Sequence, residues 1–448
     1  MKVEQFEDKA LAHYSYVILS EGLVVLIDPA RDPRPYYDFA RDNEAVIIGV
    51  IETHPHADFV SSHLEIHKKT GAKLYASRLL VASYPHLTFD EGNEITLGKV
   101  KLRALNTPGH SPDSICIVLR EGDKDKIVFT GDTLFIGDCG RPDLRENVGA
   151  ITEKRVELAR QMYHSLRDKL MPLDDDVWVY PAHGSGSLCG KALSDANRST
   201  IAAEKISNWS LKEMTEQEFI TELNSDQPFV PKYFGFDVEL NKNGANDLKP
   251  SIARVNIQKV GTADEAKELD PGIIIMDTRP SALYKERHLP NSINLMAGGK
   301  FETWLGSIIN PGEAFYLAAE NKEALLELVL RSSKIGYESF IKAGLVLNYG
   351  TLSSEKIELN KFRANQDDYT IVDIRNRSEV KEHPIFACSI NIPLSELRER
   401  AREIPIKKPL VVHCAGGYRS AAGSSIIREL MPEIAHVYDL SDAIKEFE

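Results

Sequence analysis

His54 and His56 stand two residues apart in Thr53-His54-Pro55-His56-Ala57-Asp58-Phe59, directly after the apolar run Val46-Ile47-Ile48-Gly49-Val50-Ile51. An apolar run of that length ahead of a polar turn predicts imidazoles presented at the end of a buried strand. Three further blocks follow in order, each after or beside an apolar strand: Thr107-Pro108-Gly109-His110, Phe129-Thr130-Gly131-Asp132 and Tyr180-Pro181-Ala182-His183. An isolated histidine is more often a surface or core residue than a ligand. Four spaced blocks of imidazole and carboxylate, however, are the donor set of a metal site. His63, His67, His86 and His164 lie outside the blocks and are expected on the surface.

The first block is the pattern H-x-H-x-D-H with Phe59 in place of the last histidine. In this and in the three later blocks the chain resembles the metallo-β-lactamase superfamily. That resemblance implies two adjacent metal sites in its two-zinc hydrolases, the second held by Asp58, a histidine at the next position and His183, with Asp132 bridging. Phe59 cannot ligate, so the resemblance implies here a single metal on His54, His110 and Asp132. Two imidazoles and one carboxylate with open positions suit non-haem Fe(II), and the same donors also suit four-coordinate zinc. His56, Asp58 and His183 then become residues that orient the ligands and a bound water.

A second chemistry lies near the other end of the chain. Pro409-Leu410-Val411-Val412-His413 predicts a buried strand running into Cys414-Ala415-Gly416-Gly417-Tyr418-Arg419-Ser420, with an amphipathic helix from about Ser420 to Leu430. A cysteine in a glycine-containing loop at a helix N-terminus faces backbone N–H groups, those of Gly416 and Gly417 among them, which stabilise a thiolate or a terminal persulfide anion. The segment resembles the rhodanese active-site loop, with Cys414 the sulfur carrier and Arg419 its partner. Ile371-Val372-Asp373-Ile374-Arg375 and Ser389-Ile390-Asn391-Ile392 repeat Ile275-Met276-Asp277-Thr278-Arg279 and Ser292-Ile293-Asn294-Leu295 about a hundred residues upstream. The cysteines are Cys116, Cys139, Cys189, Cys388 and Cys414, so the earlier copy has none where the nucleophile should project, near Phe315 to Glu320.

These motifs need an α/β multidomain chain to position them: an αββα metallo-β-lactamase fold over 1–245, then two rhodanese-like α/β domains, a degenerate one over 255–350 and an active one over 360–448. A length of 448 residues fits about three domains. With 54 Lys and Arg against 67 Asp and Glu, the net charge of -13 argues against nucleic acid or an anionic membrane as partner. The start, Met1-Lys2-Val3-Glu4-Gln5-Phe6-Glu7-Asp8, has no apolar targeting region, and no run approaches the ~20 apolar residues of a membrane span. Five dispersed cysteines make no disulfide framework, so a reducing, cytoplasmic setting is expected. Cys116 and Cys388 are expected in the core, Cys139 near the metal pocket, and Asp28 at a turn.

Across nearly all its residues the chain resembles the bacterial fusion of a persulfide dioxygenase, an inactive rhodanese and an active rhodanese. Glu52 to Phe59, Gly137-Asp138-Cys139-Gly140-Arg141-Pro142-Asp143-Leu144 and His183-Gly184-Ser185-Gly186-Ser187-Leu188-Cys189-Gly190-Lys191 carry the resemblance most specifically. It implies one non-haem Fe(II) per chain and the oxidation of a small thiol persulfide by O2 to the thiol and sulfite. The rhodanese would make or use thiosulfate, in the setting of sulfide detoxification. Arg141 is a candidate for the carboxylate or phosphate of the thiol carrier, which guanidinium forks pair. Glutathione-specific members commonly have His-Asp-Tyr where this chain has His183-Gly184-Ser185, so the carrier is glutathione, coenzyme A or another bacterial thiol. Cys189 is a candidate redox or sulfur-accepting thiol, and a homo-oligomer is compatible with all of this. Two other readings stand beside it: a thioester hydrolase of the glyoxalase II type fused to a sulfurtransferase, and a non-catalytic sulfur carrier or sensor.

Overall fold

The computed structural model describes residues 1–144 and 151–447. The chain separates into two compact units, Met1–Pro250 with Lys334–Gly336, and Ser251–Ser333 with Tyr337–Glu448. No helix among the described residues is long and apolar enough to cross a membrane.

The first unit is built on two six-stranded sheets. One runs in the order Lys2–Asp8, His13–Ser20, Leu23–Ile27, Val46–Ile51, Lys73–Ala76, Leu87–Thr88. The other runs Ser199–Thr200, Trp178–Pro181, Lys124–Gly131, Ile115–Glu121, Val100–Asn106, Glu94–Leu97. Side chains alternate across each strand, and here both faces are covered, which is why the strands read as unbroken apolar runs. Val25, Ile27 and Ile51 pack with Leu102, Ile117 and Phe129 between the sheets. Val24, Leu26 and Val50 point the other way, joined by Tyr36 and Phe39 of the helix Arg34–Asp42 and Ile66 of the helix His63–Thr70. On the outer face of the second sheet, Val118, Val128 and Val179 meet Ala159 and Met162 of the helix Ile151–His164 and Phe219 of the helix Glu216–Leu223. The result is the expected αββα sandwich.

All four metal-type blocks follow the C-terminal ends of strands: Val46–Ile51, Val100–Asn106, Lys124–Gly131 and Trp178–Pro181. Backbone bonds from Ile115 N–H to Thr53 O (2.9 Å), Ala182 N–H to Gly131 O (3.1 Å) and Tyr14 N–H to Ala182 O (2.7 Å) lace these ends together. Asn241, on the helix Phe234–Asn243, is buried; it donates to His56 O (2.8 Å) and Phe59 O (2.7 Å) and accepts from Ser61 N–H (2.9 Å).

The second unit holds a five-stranded parallel sheet, Ile257–Val260, Ile341–Leu347, Phe315–Ala319, Ile274–Asp277, Ser292–Asn294, and a four-stranded one, Ile390–Asn391, Thr370–Asp373, Leu410–His413, Val437–Asp439. The sequence repeat is a structural repeat. Asp277 and Arg279 form a buried forked pair, as do Asp373 and Arg375; Asn294 and Asn391 each donate to the carbonyls of both members of their pair. In the strand pairing Asp277 faces Ala318, and Asp373 faces His413. Ala319 of the first copy therefore occupies the position of Cys414 in the second.

Gly109, next to His110, has φ +154°, and a Cβ there would come within 2.6 Å of the Met162 Cα on the helix Ile151–His164. Gly109→Ala forces that helix off the loop, so a loss of about 2 kcal/mol or more is expected. The urea midpoint of the intact chain measures it, and an unchanged midpoint would contradict the packing argument.

Candidate functional site

His54, His110 and Asp132, all buried, converge with one ligand atom each within 4.8 Å of one another. Asp132 Oδ2 lies 3.8 Å from His54 Nε2 and 3.5 Å from His110 Nε2. Neither Asp132 oxygen has a nitrogen or oxygen hydrogen-bond donor, and burial pushes the carboxyl up to about 6. A buried carboxylate facing imidazole nitrogens without a donor is costly unless a cation completes it, so these residues fit a metal ion. A Cβ on Gly140 would overlap the Asp132 carbonyl, so only glycine lets this loop pass so close to the ligand.

His54 is aimed by a relay that the sequence did not reveal. Asp28 has φ +49° at the end of its strand, a turn as expected, but its carboxylate also accepts the Thr53 N–H and hydroxyl, both at 2.7 Å. With its proton on Asp28, the Thr53 oxygen accepts from His54 Nδ1 at 3.0 Å, which turns the Nε2 lone pair toward Asp132. His56 points elsewhere. Its Nε2 lies 3.1 Å from Asp28 and 3.5 Å from Glu52, and Glu52 in turn accepts from Ser61 (2.9 Å) and faces His63 (3.7 Å). Burial alone would lower His56, but the Asp28 carboxylate and then Glu52 raise it to about 9. Burial pushes Glu52 up to about 8, with the neighbouring His56 working against that rise.

Asp58, His183 and Cys189 form a further buried group, again within 4.8 Å. Phe59, at the position that lacks a histidine, is buried between the rings of His13 (3.8 Å) and His56 (4.3 Å). His13 was not singled out from the sequence; no motif surrounds it, and it reaches the site by pairing with His183 across the strand ends.

Several expectations need correcting. Arg141 is fully buried, with its fork on Asp143 (2.6 and 2.7 Å) and its remaining nitrogen on Leu188 O (3.1 Å), so it presents no open fork to a thiol carrier. His63 is buried because it opens the helix tucked beneath the strand end, where burial pushes it down to about 3. Cys139 belongs to the apolar core under the second sheet and not to the pocket. Cys388 is exposed, in the turn before the short strand Ile390–Asn391.

In the second unit Cys414 is buried at the end of the strand Leu410–His413, and its Sγ accepts from the Gly417 N–H at 3.2 Å. Gly417, with φ +88°, caps the thirteen-residue helix Tyr418–Leu430, so the sulfur faces the positive end of a helix dipole. Gly416 is on the exposed rim of the loop. Arg419 does not point at the sulfur: both its terminal nitrogens pair with Glu379, at 2.6 and 2.7 Å. The first repeat supplies one wall, with the Arg419 guanidinium 5.9 Å from the Trp304 ring and the Tyr418 hydroxyl donating to Met296 O.

Residues 8–183 match the family profile "Metallo-beta-lactamase superfamily", and residues 358–448 match "Rhodanese-like domain". The N-terminal unit has the metallo-β-lactamase fold, and the C-terminal repeat is a rhodanese-like domain. Human mitochondrial persulfide dioxygenase ETHE1 is 31% identical over 166 residues, 36% of this chain and 58% of that protein. The hydroxyacylglutathione hydrolase of Francisella tularensis subsp. novicida (strain U112) is 27% identical over 179 residues, 40% of this chain and 65% of that one. The chain thus spans less than two thirds of either relative's length. A crystal structure of a metallo-β-lactamase from Staphylococcus aureus subsp. aureus COL superimposes with a TM-score of 0.68 at 29% identity, covering 77% of this chain and 98% of that one.

Thr53→Val removes the hydroxyl that joins Asp28 to His54 while keeping the side chain's shape. Metal affinity at the triad is expected to fall about 10- to 100-fold, read by competition with a chromophoric chelator; unchanged affinity would mean the relay does not aim His54.

Proposed function

We propose that the first unit is a non-haem iron dioxygenase acting on a small-molecule thiol persulfide, and that Cys414 transfers sulfane sulfur between the product sulfite and thiosulfate. The observation that carries the reading is the buried trio of His54, His110 and Asp132, with Phe59 replacing a histidine of the superfamily motif. The similarity to human persulfide dioxygenase supports it. Fe(II) held there would supply open coordination positions at which a persulfide sulfur and O2 meet. The balance is R–S–SH + O2 + H2O → R–SH + SO3²⁻ + 2 H⁺. Thr53 and Asp28 hold His54 in one tautomer, and the strand ends fix the trio before substrate arrives, so little reorganisation is needed.

In the rhodanese-like repeat, Gly417 N–H and the helix N-terminus stabilise the terminal sulfur of a Cys414 persulfide. Sulfite attacks that sulfur: Cys414–S–S⁻ + SO3²⁻ → Cys414–S⁻ + S2O3²⁻. The S–S bond breaks and its electron pair remains on the Cys414 thiolate. Arg419, neutralised by Glu379, sets the charge balance at the loop. Ala319 offers no thiol, so the first repeat serves as the wall of this site and not as a second transferase. The similarity to hydroxyacylglutathione hydrolases supports a second reading, a metal-dependent thioester hydrolase on the same trio. Metal identity and oxygen uptake separate the two.

Protein purified anaerobically without added zinc is expected to hold one iron per chain and to consume O2 with glutathione or coenzyme A persulfide. Active protein holding two tightly bound zinc ions would sink this reading. Cys414→Ser should abolish thiosulfate sulfurtransferase activity, leave oxygen uptake with a small persulfide, and shift the product from thiosulfate towards sulfite. His110→Ala should do the reverse. Loss of oxygen uptake in Cys414→Ser would mean that the dioxygenase takes its sulfur from Cys414.

A further inference from the structure

The transfer step written for Cys414 brings two anions together, a persulfide and sulfite, and these repel unless cations lie beside them. Two guanidiniums of the active repeat are already committed. Arg419 holds Glu379 in a fork at 2.6 and 2.7 Å, and beneath the loop Arg375 holds Asp373 in another. A forked guanidinium–carboxylate pair carries no net charge and resists turning, because swinging away breaks two charge-assisted bonds at once.

The thiol-less repeat brings a cation of another kind to the same place. After its edge strand Ser292–Asn294 the chain turns through Met296 to Lys300 against the Cys414 loop. Met296 O accepts from the Tyr418 hydroxyl at 3.0 Å, and a Cβ on Gly298 would lie 2.5 Å from the Tyr418 ring, so glycine lets turn and ring meet. Tyr418 follows Gly417, whose N–H meets the Cys414 sulfur. From behind, Arg331 donates to Gly298 O at 2.7 Å while it forks Glu302. Lys300 ends this turn and precedes the helix Phe301–Ile308; its carbonyl accepts from the Trp304 N–H at 3.1 Å, one turn from the ring that lies 5.9 Å from the Arg419 guanidinium. The Lys300 side chain is exposed, with its ammonium partly sheltered: that shelter and then the charge of Arg419 lower its pKa, while Glu379 works the other way. Gly416 has open space where a Cβ would stand, so the mouth is open on that side.

We propose that Lys300, from the repeat that has no thiol, is the specificity residue that binds the dianionic sulfur substrate, sulfite or thiosulfate, at the mouth of the Cys414 site. An ammonium is a point charge on a flexible four-carbon stem, so it turns to an incoming oxyanion where the forked Arg419 does not. Labour is divided between the repeats: backbone N–H groups and the helix N-terminus hold the sulfur on Cys414, and Lys300 holds the oxygens of its reaction partner. In the loading direction the step is Cys414–S⁻ + S2O3²⁻ → Cys414–S–S⁻ + SO3²⁻. The S–S bond of thiosulfate breaks and its electron pair leaves with sulfite, which is still a dianion beside Lys300. For its substrate class the inference rests on the sulfur-transfer reading of Cys414.

Two measurements on the full-length chain test this. In the first, sulfate, an unreactive dianion, is titrated by calorimetry into the Cys414→Ser protein. One sulfate per chain is expected; adding Lys300→Ala should weaken it about tenfold or more, and Lys300→Arg, which keeps the charge, should restore it. In the second, with Cys414 intact, sulfur transfer from thiosulfate to cyanide is followed as thiocyanate. Lys300→Ala should raise the KM for thiosulfate about tenfold with a much smaller fall in kcat. No matching rise is expected in the KM for cyanide, which is neutral HCN near neutral pH, and the increase of the thiosulfate KM with salt should flatten. Equal sulfate affinity with and without Lys300, or no sulfate bound by the Cys414→Ser chain, would overturn the proposal. If sulfate binds through Lys300 and the unmutated chain makes no thiocyanate, the sulfur-transfer reading of Cys414 fails and the anion site stands.

Discussion

The carboxylate of Asp132 is the constraint around which the first unit is arranged. It lies at the end of a central strand, out of contact with water, and burial works against its charge. Imidazoles are therefore brought to it from three directions, with His54 and His110 facing one oxygen and His183 the other. Each arrives from the C-terminal end of a different strand, and backbone bonds hold these ends at fixed spacing. The sandwich core anchors the strands, and the polar chemistry is confined to their ends.

Around that carboxylate the structure settles which nitrogen of each ring faces inward. Thr53 and Asp28 fix His54, and the Ala12 carbonyl fixes His183. These partners come from residues distant in sequence and carry no motif of their own. His56, though it belongs to the same H-x-H pair as His54, turns into a separate buried group with Asp28 and Glu52, whose carboxylates face it on that side.

The second unit uses the opposite strategy. No convergence of distant strands is needed to place Cys414; a strand end, a glycine loop and a helix N-terminus, all contiguous, stabilise the sulfur. In both repeats a buried Asp–Arg fork closes the strand end, and an asparagine of the edge strand, Asn294 or Asn391, donates to the carbonyls of that pair. The first repeat has the same framework, with Ala319 where the second has Cys414, so the Asp–Arg forks do not depend on the residue at that position.

The sequence by itself determined what is local. Apolar runs ending in polar turns gave the strand ends, the spaced blocks gave the donor types, and the contiguous strand, glycine loop and helix start placed Cys414 against backbone N–H groups, because strand periodicity and helix capping act over a few residues. Only the tertiary structure decided the rest. It buried Arg141 on Asp143, drew His63 beneath a strand end, put Asn241 on the metal loop, and set Cys189 beside Asp58 and His183. These outcomes depend on which side chains meet when remote segments pack. In a dry interior an unpaired charge or lone pair is too costly to leave alone, so partners are chosen by proximity in space and leave no trace in the spacing of the chain.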